Sequence, residues 1–172
     1  CRRQRQMCIR DRLGTGSGAI SISIAQENKD CFIFATDISI KSILVAKQNA
    51  AKFCSENIIF LNHDWNNEWL FPQVDYLISN PPYVDKEATT GKEEGIWHEP
   101  EKALFSKDKG LSDLKLILSK GKNFLNENGK VYLEHAPDQY EELNKFAVEN
   151  GYLNFSNLND LNGDKRVSIY QC

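Results

Sequence analysis

The sequence contains no apolar run long enough to cross a bilayer, no two cysteines at CxxC spacing, no internal repeat and no long linker. A helix needs about 20 consecutive apolar residues to span a hydrocarbon core, so a membrane protein is not expected. Cys31, Cys54 and Cys172 are scattered, which fits reduced thiols in a cytoplasmic protein better than a disulfide framework or a zinc site. No metal is expected. What remains is a chain of 172 residues, 41% of them hydrophobic, long enough for one soluble domain with a sizeable core.

Arginine is almost absent from most of the chain. Five of the six arginines, Arg2, Arg3, Arg5, Arg10 and Arg12, fall in "CRRQRQMCIRDR", and lysine is the preferred cation everywhere else. Position 1 is not methionine, and the stretch has neither the apolar core of a signal peptide nor a transit-peptide pattern. Residues 1–12 therefore read as a foreign segment, and residues 13–172 as the domain, with an incomplete first strand. The competing reading is a basic arm for nucleic acid. Without those five arginines and one aspartate the formal charge moves from −3 to −7, and an acidic body holds a phosphate backbone poorly.

Beyond Leu13, strand-like and helix-like stretches alternate. "GAISISIAQE" reads as a helix, "CFIFATD" as a buried strand, and "SIKSILVAKQNAAKF" as a helix capped by Ser39. "NIIFLN" and "VDYLIS" are short strands, "LSDLKLILSKGKNFL" is amphipathic, "GKVYLEH" is a strand, and "QYEELNKFAVENG" is a helix closed by Gly151. Two last strands, near Tyr152–Phe155 and Val167–Tyr170, flank the turn-rich "NLNDLNGDK". The expected fold is α/β: a mostly parallel, Rossmann-like sheet closed by an antiparallel hairpin.

"LGTGSGA" stands where the first strand would turn into the first helix. Glycines at 14, 16 and 18 permit backbone angles that a β-carbon forbids and let a ligand approach the main chain. The next strand ends in Asp37, placed to accept the ribose hydroxyls of a nucleoside cofactor. Its alternative role is an N-terminal cap for the following helix. GxGxG, rather than GxGxxG, points to S-adenosylmethionine over a dinucleotide. Asp64 in "NHDWNN" is a candidate acceptor for the adenine amino group, and Trp65 a candidate wall for the ring. A plain surface tryptophan is the alternative for Trp65, and His63 reads as structural.

"LISNPPYV" ends the fourth strand with an asparagine, two prolines and a tyrosine. Pro81 fixes its own φ and keeps Asn80 out of the helical region, and Pro82 does the same to Pro81. Prolines have no N–H, so the main chain here offers mainly acceptors. The Asn80 side-chain oxygen and the Pro81 carbonyl can each take one N–H of a planar nitrogen, aiming its lone pair at an electrophilic methyl group, while Tyr83 stacks on the flat target. A strand-ending turn is the bland alternative.

From Leu13 onward the chain resembles the HemK/PrmC family, the protein-(glutamine-N5) methyltransferases of peptide chain release factors. The resemblance is carried by "LGTGSGAISISIA", "ATDIS", "VAKQNA", "HDW", "VDYLISNPPYVD", "HEPEKALFSKDKGLSDL", "YLEHAPDQ" and "NDLNGDKRVSIY". It implies a class I S-adenosylmethionine-dependent methyltransferase fold over residues 13–172. The cofactor would contact Gly14, Thr15, Gly16, Ser17, Gly18, Asp37, Asp64, Trp65 and Asn80, and Asn80, Pro81, Pro82 and Tyr83 would hold the glutamine amide. The implied partner is a class I release factor, methylated at its Gly-Gly-Gln motif by a cytoplasmic monomer that binds no nucleic acid directly. The family has aspartate before the leucine of "LGTGSG", and here that position is Arg12. Nothing corresponds to the family's N-terminal helical docking domain, so a catalytic domain without its grip is expected. The competing readings are an amino-directed nucleic-acid methyltransferase, such as one acting on adenine N6, and a catalytically impaired fragment.

Overall fold

The computed structural model describes residues 9–53, 55–85 and 101–171. Cys54, Cys172, most of the arginine-rich segment and the "HEP" of "HEPEKAL" lie outside the described residues.

Seven strands form a sheet in the order β3-β2-β1-β4-β7-β9-β8. The first three, β1 (Ile9–Leu13), β2 (Phe32–Asp37) and β3 (Ile58–Asn62), pair in parallel. β7 (Leu125–Glu134), β9 (Lys165–Gln171) and β8 (Asn154–Asn159) pair antiparallel. β4 (Val74–Ser79) lies beyond β1, so the chain builds outward to β3 and returns. That reversal of strand order between β1 and β4 is a topological switch point. Two short strands, β5 (Val84–Asp85) and β6 (Phe105–Ser106), make a separate parallel pair that sequence periodicity is too brief to reveal. No helix among the described residues is long and apolar enough to cross a membrane.

The chain divides into two compact units, residues 1–78 with 125–129, and residues 79–124 with 130–172. In the first, residues Ile9–Arg12 supply most of β1, pairing with Phe32–Ala35. Its helices are α1 (Ala19–Glu27) and α2 (Ile40–Lys52). The isoleucines of α1 lower its intrinsic helix propensity, and burial of Ser21, Ile22 and Ala25 on one face offsets that. Ser39 caps α2, its Oγ accepting from the Ser42 amide at 3.2 Å. Ile43, Ala46 and Ala50 form the buried stripe of α2, and Leu13, Ile33, Ala35, Val74 and Leu77 supply the core from the strands.

The second unit holds α3 (Glu101–Leu104), α4 (Ser112–Gly121) and α5 (Tyr140–Glu149). Leu114, Ile117 and Leu118 of α4, Leu143 and Ala147 of α5, and Val131, Leu133 and Tyr170 of the strands are buried. α5 stops at Gly151, whose φ of +80° reverses the chain as a helix end requires. The penultimate strand starts later than Tyr152. That tyrosine is buried, donating from its hydroxyl to the Leu118 carbonyl at 2.9 Å, so it anchors the chain to α4 before pairing begins. "NLN" then extends β8, with a bulge between Leu158 and Asn159, and the turn shrinks to the segment after Asn159, where the Asp160 carboxylate accepts from the Asn162 and Asp164 amides.

Candidate functional site

The first unit assembles the glycine loop. Leu13 is fully buried at the end of β1, and the Thr15 amide donates to the Thr36 carbonyl at 2.8 Å, tying the loop to the end of β2. Gly14 and Gly18 sit at φ +64° and +85°, where a side chain is strained. They are also crowded: a β-carbon on Gly14 would lie 3.2 Å from the Trp65 ring, and one on Gly18 would lie 3.0 Å from Ala46 Cβ. Gly16 is different. At φ +57° it is equally left-handed, yet a β-carbon there would meet nothing within 4 Å. Here the main chain faces open space, and a ligand can approach it closely.

Asp37 organises this loop through both oxygens. Oδ2 accepts from the Gly16 amide and Oδ1 from the Ser39 amide, each at 2.8 Å. Since the Ser39 hydroxyl caps α2, the capping role falls to Ser39 and not to Asp37. A carboxylate oxygen has two lone pairs, so each oxygen keeps capacity for a hydroxyl donor. The Asp37 carbonyl accepts from the His63 amide and from Asn62 Nδ2, which fixes the loop after β3 to the same residue.

That loop carries Asp64 and Trp65. Asp64 Oδ1 accepts from the amide and the side chain of Asn66 at 2.9 and 2.8 Å, a local turn that leaves Oδ2 without a partner among the described residues. Trp65 is half-buried, its ring against Gly14 and its carbonyl accepting from Trp69 Nε1 at 2.9 Å. His63 stands edge-on to Phe71, with ring centroids 6.3 Å apart. Thr15 points the other way: its Oγ1 pairs with the buried Ser21 Oγ at 2.7 Å, so only its main chain faces the loop's open side. Ser17 is exposed, and its carbonyl accepts from Asn49 Nδ2.

Arg12 is buried, although arginine is seldom placed inside a protein. Its Nη1 donates to the Leu13 carbonyl at 2.6 Å and reaches the Ile78 carbonyl at 3.5 Å, linking the ends of β1 and β4. A fixed positive charge thus stands one residue before the glycine loop.

The second unit assembles the NPPY loop. Asn80 is exposed, and its side chain takes no partner among the described residues. Pro81 and Pro82 are buried. Tyr83 is held at both ends: its hydroxyl donates to Glu134 Oε1 at 3.1 Å, and its carbonyl accepts from Gln139 Nε2 at 2.9 Å. Gly110, at φ +81°, packs so tightly that a β-carbon would run into the Tyr83 carbonyl. A rigid base with one free polar side chain at its entrance results.

Next to Glu134, His135 is fully buried. A carbonyl can only accept, so His135 Nδ1 donates to Ala136 at 2.7 Å, and Nε2 then accepts from the Ser168 hydroxyl at 2.8 Å. The ring is neutral in this arrangement. Burial pushes its pKa below the ordinary histidine value, against the Ala136 hydrogen bond, which favours the charged form, and with the help of the Arg166 charge.

Of the residues singled out in the sequence, Gly14 to Gly18, Asp37, Asp64 and Trp65 lie in the first unit, with Gly16 hydrogen-bonded to Asp37 and Gly14 against Trp65, and Asn80, Pro81, Pro82 and Tyr83 form one loop in the second. The structure adds Gly110, Glu134 and Gln139, all packed or hydrogen-bonded against Tyr83. The readable hint was Gln139, three residues after Ala136 before a helical segment, where a side chain can reach back to the first amide; it does so at 2.9 Å.

A family profile described as "Methyltransferase small domain" matches residues 6–146. The bifunctional methyltransferase of Rickettsia felis is 36% identical over 160 residues, 92% of this chain and 30% of that protein. The release factor glutamine methyltransferase of Escherichia coli (strain K12) is 32% identical over 157 residues, 91% of this chain and 57% of that protein. The chain thus spans about half, or less, of the length of these relatives. Among solved structures, a methyltransferase from Pyrococcus furiosus is similar in fold, with a TM-score of 0.70 at 18% identity, covering 95% of this chain and 74% of that one.

Proposed function

This chain belongs to the methyltransferase small domain family, and we propose that it transfers a methyl group from S-adenosylmethionine to the side-chain nitrogen of the glutamine in the Gly-Gly-Gln motif of a peptide chain release factor. When bound, that cofactor supplies an electrophilic methyl group on a sulfonium sulfur. The residues present fit it: Gly16 leaves its main chain open to close approach, Asp37 keeps lone pairs for ribose hydroxyls, and the Trp65 ring beside Gly14 offers an apolar wall.

The observation that carries the substrate reading is the contrast within the NPPY loop: Asn80 is exposed and unengaged among the described residues, while the buried prolines and the doubly tethered Tyr83 make its support stiff. A glutamine amide nitrogen is a poor nucleophile because its lone pair is delocalised. The Asn80 side-chain oxygen and the Pro81 carbonyl accept its two N–H bonds and localise that lone pair. The Tyr83 ring covers the flat amide. A proton leaves to water after the methyl group has moved, so no strong base is required. Similarity to the release factor glutamine methyltransferase of Escherichia coli, 32% identical over 91% of the chain, supports this substrate over a nucleic acid.

The test is transfer of labelled methyl from S-adenosylmethionine to purified release factor, to the same factor with the motif glutamine replaced by alanine, and to adenine-containing DNA. Label is expected on the unaltered factor alone. Label on DNA alone ends this reading.

A further inference from the structure

We propose that Gln139 is a positioning residue for methyl transfer, acting through the backbone of Tyr83; this rests on the methyl-transfer reading above. Gln139 is only 6% exposed, and its amide is fully engaged. Nε2 donates to the Tyr83 carbonyl at 2.9 Å and to the Lys109 carbonyl at 3.0 Å, while Oε1 accepts from the Ala136 amide at 2.9 Å. One side chain thereby joins three stretches of main chain that are distant in sequence.

The second observation is backbone strain at the same joint. Asp108, Lys109 and Gly110 are consecutive and left-handed, at φ +53°, +55° and +81°. Lysine seldom adopts this region and aspartate only somewhat more readily, and such strain persists where surrounding structure over-determines it, typically at functional sites. It lets the Lys109 carbonyl share Nε2 with that of Tyr83, and lets Gly110 close against the Tyr83 carbonyl. The loop of Asn80 to Tyr83 is stiffened by its prolines, so its direction is set at its ends. One end is strand β4, and the other is the Tyr83 peptide held by Gln139. A rotation there would carry the Pro81 carbonyl and Asn80 away from the nitrogen they must orient, and a displacement of about 1 Å costs about 100-fold in rate. Glutamine suits the role because a shape-matched apolar side chain would leave two carbonyls and an amide unpaired, and glutamate would set a carboxylate against two carbonyl oxygens.

The experiment compares Gln139→Met and Gln139→Glu with the wild-type chain on three readouts: kcat and KM for release factor methylation, S-adenosylmethionine binding by calorimetry, and amide exchange by mass spectrometry. Expected are a fall in kcat of about ten- to 100-fold, cofactor affinity within about two-fold, and faster exchange confined to the Tyr83–Asp85 segment, with α4 and α5 protected as before. Unchanged kcat and exchange would overturn the inference. So would accelerated exchange throughout the second unit, which marks a residue needed only for folding. If the wild-type chain leaves release factor unmethylated, the substrate reading fails by itself, while the exchange pattern still decides whether Gln139 holds the Tyr83 peptide.

Discussion

The amide of Gly16 donates to Asp37 Oδ2 at 2.8 Å, so the acid that ends β2 holds the glycine loop in shape. Asp37 is therefore both scaffold and candidate ligand, and its loss should register on two scales. Asp37→Ala removes the acceptor for two amides, at about 1–3 kcal/mol for each group left unsatisfied. Expected are a lower urea midpoint and at least ten-fold weaker S-adenosylmethionine binding by calorimetry. A destabilised variant that binds the cofactor as tightly as the wild-type chain would confine Asp37 to scaffolding.

Asn80 is the opposite case, exposed and without a partner among the described residues. Asn80→Ala should leave the melting temperature nearly unchanged, since surface substitutions away from special features fall within about 0.5 kcal/mol. Loss of a donor or acceptor acting on the reacting group typically costs about 100- to 1,000-fold in kcat. Methyl transfer at the wild-type rate would remove Asn80 from the mechanism.

Gly110→Ala should be among the most damaging single changes in the second unit. The new β-carbon has to occupy the place of the Tyr83 carbonyl while the backbone stays at φ +81°. Overpacking of this kind costs about 1–3 kcal/mol, with the left-handed conformation adding about 1–2 kcal/mol. Denaturant titration measures the sum. Gly16→Ala, which meets open space, should cost only the conformational part, and equal losses at the two sites would refute the steric account.

Two buried groups set opposite pH limits. His135 has a depressed pKa in the folded chain, so the unfolded chain binds more protons as the pH falls below about 6.5. Its contribution is complete above that value and is lost on acidification; His135→Gln should flatten the urea midpoint between pH 7 and pH 5. Tyr170 is pushed up to about 12 by burial, from an ordinary value of 10.0. Its contribution is complete below pH 10 and is lost as the pH rises toward 12, by up to about 2–3 kcal/mol. Tyr170→Phe should remove that alkaline slope, and identical slopes in variant and wild-type chains would contradict the assignment.

Arg12 places a buried positive charge beside the loop proposed to receive a cationic sulfonium. Like charges within a protein repel by about 1 kcal/mol or more at these effective dielectrics, about five-fold in affinity. Arg12→Met should therefore raise affinity for S-adenosylmethionine relative to S-adenosylhomocysteine, whose thioether sulfur carries no charge. Calorimetric titration with both ligands gives the ratio, and an unaltered ratio would mean that the charge is screened from the site.

The main strands and helices, though not the brief β5 and β6, are legible in the chain alone, as are the left-handed glycine loop, the acid ending β2, the Ser39 cap and the proline-stiffened turn after β4. Each depends on a residue's own backbone preferences or on partners a few positions away, as with Ser39 and Ser42, and such local chemistry is written in short motifs. Tertiary structure decided what stands around Tyr83, where Glu134 and Gln139 arrive from 51 and 56 residues away and Gly110 closes against its carbonyl. It also decided that Ile9–Arg12 complete β1, that Arg12 is buried, and that β8 runs through a turn-rich stretch because β9 lies beside it. Hydrogen bonds between distant segments leave no periodicity or spacing in the chain, because their energy depends on where the folded backbone carries each group.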